Sequence, residues 1–114
     1  MTTTTRAEPP RWLDIVRPRG RGIRAPLAVI LQHHIVPAQT AIAAPLLRHD
    51  GQPNLLLPRI EVAGMSYVAN LLDMAALPRS AIGETVGSAL LEADAITDGL
   101  DAIFRGHPVG LPSP

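Results

Sequence analysis

The chain contains no cysteine, which excludes a disulfide framework, a thiol nucleophile and every Cys-based metal site. Lysine is also absent, so all ten basic residues are Arg, which reads as genomic base composition rather than function. Aromatic residues are nearly as scarce. Trp12, Tyr67 and Phe104 are the only ones, a poor supply for a base-stacking platform. The longest apolar runs, such as Ala41 to Leu47, are too short to span a bilayer. The opening stretch MTTTTRAEPP lacks the apolar core of a secretory signal. Net charge is zero, so no global field draws the protein onto nucleic acid or membrane. These absences imply a soluble protein made and kept in the cytoplasm.

What is present fits one compact domain. At 114 residues the chain is long enough to bury a core without disulfides or metal, and too short for two domains. Its charge is uneven. Residues 1–24 hold six Arg against Glu8 and Asp14, whereas residues 84–105 hold five acids against Arg105. That contrast, about +4 against about −4, suits docking between chains or with a partner.

The first ten residues are Thr-rich and end in Pro9-Pro10, which predicts a disordered arm over 1–10. Residues 107–114 carry three prolines and no periodicity, which predicts a flexible tail. Between them, 11–106 forms the domain. Dense Pro and Gly punctuation favours short strands: Trp12 to Val16, Leu27 to Leu31, and Thr40 to Ala44 with Pro45 at its end. Arg17 to Arg24 reads as a basic, glycine-bearing loop, and His49-Asp50-Gly51 as a turn. Arg59 to Val62 and Met65 to Val68 alternate around Ala63-Gly64, a hairpin pattern. Arg79 to Gly83 reads as a short extended segment. From Glu84 the period changes. Val86, Leu90, Ala93, Ile96, Leu100, Ile103 and Phe104 recur at steps of three and four, predicting an amphipathic helix over roughly 85–105. Its interior Gly99 predicts close backbone packing, since Gly costs about 1 kcal/mol there relative to Ala.

Candidate chemistry is thin. On a strand His33 and His34 would point to opposite faces, so they do not converge on a metal, and a solvated turn is the better reading. Ser66, Ser80 and His107 form no nucleophile motif. Asp98 and Asp101, three apart, read as a solvated helix face rather than a carboxylate pair. The Arg17–Arg24 loop is the best candidate for polyanion contact, but a loop meeting an acidic partner segment is the favoured account. No cofactor, no metal and no catalytic residue are expected.

One stretch goes further. The run Asp73 to Val86, DMAALPRSAIGETV, resembles the corresponding run of the CcdB toxin family, which reads Asp-Met-Ala, a Pro, then Ile-Gly-Glu and a Val. Upstream, Pro58, the hairpin through Gly64, and Tyr67 are similar to the family's hairpin. So are Leu27 to Gln32, Ile35-Val36 and Pro45-Leu46 to its second and third strands. Downstream, Ile96, Leu100, Phe104 and Gly106 resemble its C-terminal helix. The resemblance covers about 11–106. It implies a mainly β fold, an SH3-like barrel of the CcdB/MazF type with a C-terminal amphipathic helix, and a homodimer. It also implies a toxin that binds the A subunit of DNA gyrase, traps it with cleaved DNA, and is neutralised by an antitoxin wrapping over it.

By this resemblance, gyrase contact falls on Asp101, Phe104, Arg105, Gly106 and His107. Antitoxin contact falls on Ile35, Val36, Asp101, Phe104 and Arg105. One departure stands out. The family's helix ends Phe-Trp-Gly-Ile at the chain end, whereas here Phe104-Arg105-Gly106-His107 is followed by seven residues. Three readings follow: a gyrase-directed toxin, a CcdB-fold protein that binds an antitoxin without poisoning, and a ribonuclease like the MazF branch. The third is weakened because the Arg loop contains no Ser or Thr.

Overall fold

A computed structural model describes residues 10–20, 24–36, 38–48 and 52–106. The predicted arm, the His49-Asp50-Gly51 turn and the predicted tail therefore lie outside the described residues, except for Pro10. Among the described residues, seven strands, β1 (Asp14–Pro18), β2 (Leu27–Ile30), β3 (Thr40–Arg48), β4 (Arg59–Val62), β5 (Met65–Ala69), β6 (Ala75–Pro78) and β7 (Ile82–Ser88), precede one helix, α1 (Ala93–Arg105). Single 3-10 turns at Leu71–Asp73, Arg79–Ala81 and Leu90–Glu92 join the later elements. The strands form one antiparallel sheet in the order β4-β5-β3-β2-β1-β7, curled into a half-barrel. This is the expected mainly β fold with a C-terminal helix.

Strand β3 is the spine. One edge pairs with β2, and the other carries β6 along its first half and β5 along its second. Pro45 does not end the strand, as the sequence predicts, but sits where the second edge forks. The Asn70 N–H donates to its carbonyl at 2.9 Å. In an antiparallel strand a residue's N–H and C=O face the same neighbour, so the donor that Pro lacks would point into the gap between β5 and β6. Nothing there requires it, and the proline is tolerated inside the sheet.

β2 reads as an unbroken apolar run because both its faces are covered. Leu27 and Val29 enter a main core with Ile15, Leu46, Ile60, Leu71 and Ile96. Ala28 and Ile30 enter a second, alanine-rich core with Val16, Ala43, Leu77 and Ile82. Each fully buried Leu, Ile or Val contributes about 1.5–3 kcal/mol. Every buried residue described is apolar.

Two boundaries depart from expectation. Trp12 and Leu13 form a turn before β1, and Leu13 takes φ 64° while fully buried. That conformation is costly for a branched side chain. Two bonds hold it: Leu13 N–H donates to the Ile30 carbonyl and Ala89 N–H donates to the Leu13 carbonyl, both at 2.8 Å. At the other end, Thr85 to Ser88 belong to β7 rather than the helix, which starts at Ala93. Pairing with β1 overrides local spacing there, with Ile15 opposite Gly87 and Val16 opposite Thr85. Val86 still reaches the main core although it lies on a strand. Arg79 to Ala81 form a 3-10 turn, and only Ile82 and Gly83 of that predicted segment are extended.

The hairpin forms as predicted, with Ala63 and Gly64 both at positive φ, 52° and 80°. The predicted basic loop starts later than expected, since Arg17 and Pro18 lie in β1; its residues 21–23 lie outside the described residues. Arg17 pairs with Glu84 at 3.0 Å across β1 and β7. Part of the charge contrast between the chain's ends is thus satisfied within the molecule.

Candidate functional site

The predicted contact residues fall on two separate elements, the end of α1 and the connection between β2 and β3. α1 is held by one face. Ile96 and Gly99 are buried, and Leu100 and Ile103 pack partly against the main core. A Cβ on Gly99 would collide with Leu71 and lie 2.6 Å from the Leu55 carbonyl oxygen, so the helix approaches the turn at Leu71–Asp73 as closely as glycine allows. At 3.6 residues per turn, Asp94, Asp98, Asp101 and Arg105 share the opposite face.

The last turn presents the candidate residues. Phe104 is 71% exposed although its neighbour Ile103 is partly buried. Arg105 Nη1 lies 3.7 Å from Asp101 Oδ2, a loose pair one turn apart. Such pairs contribute about 0.3–0.5 kcal/mol. Asp101 opposes the negative end of the helix dipole, and Arg105 in the last turn complements it. Gly106 closes the helix at φ 86°, with its N–H shared between the Asp101 and Ala102 carbonyls at 3.2 Å each. His107 lies outside the described residues.

Ile35 and Val36 are 78% and 50% exposed. No hydrogen bond or ion pair among the described residues joins them to α1. Polar contacts from distant segments fix their loop. Ile35 N–H donates to His33 Nδ1 at 3.1 Å, and Trp12 N–H donates to His34 Nδ1 at 3.2 Å. Arg79 Nε and Nη2 both donate to the Ala38 carbonyl, at 3.3 and 2.9 Å. The two imidazoles stack at 4.2 Å, and Trp12 lies 5.5 Å from His33. They occupy an exposed turn, as expected, rather than opposite faces of a strand. Desolvation by its surroundings, then the Arg11 guanidinium and His33, hold the His34 pKa below its ordinary value, with Asp14 opposing.

His33, His34, Gln32, Val36, Thr40 and Arg79 line a shallow pocket open to solvent. The sequence reading missed Arg79 here, because only the pairing of β3 with β6 brings it to the loop. Spacing carried no signal for that contact. Among the described residues, no three His, Cys, Asp or Glu side chains are grouped to hold a metal, and no helix is long and apolar enough to cross a membrane.

A family model described as CcdB protein matches residues 16–106. No curated protein matches the chain.

Proposed function

The chain belongs to the CcdB family, and on that premise we propose that it is the toxin of a toxin–antitoxin pair, inhibiting or poisoning the A subunit of DNA gyrase in the cytoplasm. It works as a homodimer that grips partners, and no covalent chemistry of its own is required. Gyrase meets Asp101, Phe104, Arg105, Gly106 and His107. A cognate antitoxin meets Ile35, Val36, Asp101, Phe104 and Arg105. The observation that carries this reading is Phe104. The chain's only Phe stands exposed on the last turn of a helix whose other face is packed into the core. A large aromatic left in water beside an Arg has the composition of an interface anchor.

Arg105 favours a second reading, in which the protein binds its antitoxin without poisoning gyrase. The family's indole at this position would fill a desolvated pocket, and hot-spot aromatics are worth about 2 kcal/mol or more, roughly thirtyfold in affinity. Arg can stack and pair with carboxylates, so it suits a different pocket. Its nearness to Asp101 supports a changed specificity carried by the two together.

A gyrase supercoiling and DNA-cleavage assay separates the readings. The natural protein is expected to trap cleaved DNA. If only Arg105→Trp truncated after residue 107 does so, the second reading replaces the first. If neither acts, gyrase is not the target.

A further inference from the structure

The pocket beside Ile35 and Val36 carries an imbalance of hydrogen-bond donors. Arg11 Nη2 lies 3.3 Å from His34 Nε2, while Trp12 N–H points at His34 Nδ1 from 3.2 Å. Both approaching groups can only donate. A neutral imidazole has one acceptor nitrogen and an imidazolium has none, so at least one of these contacts sets donor against donor. His33 adds to the surplus. Its Nδ1 accepts from Ile35, which leaves the proton of the neutral ring on Nε2.

Arg79 completes the set. Two of its nitrogens are spent on the Ala38 carbonyl, and no acceptor among the described residues meets its remaining N–H groups. Among the described residues, no carboxylate lines the pocket. Asp14, whose charge acts on His34, already accepts the Arg11 backbone N–H at 2.9 Å. An anion would supply an acceptor there, and exposed Val36, which lines the pocket, with exposed Ile35 next to it in sequence, says what kind.

We infer that this pocket receives a carboxylate side chain of a partner peptide, held by Arg79 and the Arg11–His34 edge, while an adjacent apolar residue rests on Ile35 and Val36. The occupant is an acidic-apolar protein segment. A planar carboxylate matches the free edge of a guanidinium. This deepens the reading of that loop as an antitoxin contact and rests on it only for the partner's identity. The chemistry of the pocket stands apart from gyrase.

The test titrates the isotope-labelled full chain with Ac-Leu-Glu-Leu-NH2, with Ac-Leu-Gln-Leu-NH2 and with sodium acetate, following amide and Arg Nε resonances. The Glu peptide is expected to shift residues 32–41 and the Arg79 and Arg11 Nε signals. The Gln peptide is expected to bind about tenfold more weakly, the scale of one charge-assisted pair. Arg79→Gln should abolish the shifts. Arg11→Gln, which alters only an exposed side chain, should weaken binding several-fold and guards against misfolding of the first variant. Equal binding by the two peptides, shifts confined to other surfaces, or no shifts at all would overturn the proposal. Acetate binding as tightly as the Glu peptide would also overturn it, since the pocket would then be a simple anion site. A gyrase assay that fails while the Glu peptide binds leaves the pocket standing, and the reverse result removes the pocket alone.

Discussion

The two halves of the candidate site are built by opposite means. The end of α1 is placed by apolar packing. Ile96, Gly99, Leu100 and Ile103 fix the helix, and Phe104 and Arg105 ride on it with only local contacts. The loop with Ile35 and Val36 is placed by polar contacts from Trp12, Arg11 and Arg79, distant in sequence and exposed to water. One half should answer to volume and be indifferent to pH. The other should answer to protons and tolerate changes in the core.

Gly99→Ala is the strongest way to break the packed half. Helix propensity alone predicts a gain of about 1 kcal/mol. Overpacking costs about 1–3 kcal/mol, and the nearest obstacles include the Leu55 backbone oxygen, which cannot rotate away. The clash wins, and thermal unfolding should show a net loss of up to about 2 kcal/mol. A rise in Tm would mean that the helix is free to shift outward.

The polar half is tested by pH. His34 has a folded pKa below its unfolded value. As pH falls through the ordinary value near 6.5, the unfolded chain takes the proton first, so stability declines, and the loss is complete once pH drops below the folded pKa. Melting curves from pH 8 to pH 5 should show this decline in the natural protein and a smaller one in His34→Gln. Gly99→Ala should keep the same slope. Identical slopes for the natural protein and His34→Gln would show that the loop does not depend on this imidazole.

The smallest effect on stability belongs to Phe104→Ala. The side chain is 71% exposed, so the change should stay within about 0.5 kcal/mol of the natural protein. Any loss of partner binding in that variant would then be read as interface alone. A large loss of stability would place Phe104 in the core and remove it from the surface.

Legibility in the sequence followed the range of the forces involved. The β4–β5 hairpin was readable because alternation and the Ala63-Gly64 turn are local. The close approach at Gly99 was readable because a glycine inside a helix demands a reason. The far half of β3 was not, since Pro45 looks like a stop until the fork between β5 and β6 is known. Nor was the start of α1. Val86 fits helical spacing by coincidence, and its strand is dictated by β1, far upstream. The helix end of the candidate site came from family resemblance, whereas the grouping of Trp12, His34 and Arg79 had no local trace at all.

The fork at Pro45 also implies an order of assembly. β2 and β3 are nine residues apart in the chain and β4 and β5 two, so both hairpins close local loops at little entropic cost, and the β2–β3 pair is the earlier in chain order. The β4–β5 hairpin and β6 are then separate leaves that close onto the finished spine. β7 must travel back to β1, pairing Asp14 with Ser88, and α1 follows it in the chain to settle against the turn at Leu71–Asp73. The loop that presents Ile35 and Val36 is therefore born with the first hairpin, and the helix end with Phe104 arrives last. A nascent chain would display the loop proposed to meet an antitoxin before it owns the helix end proposed to meet gyrase.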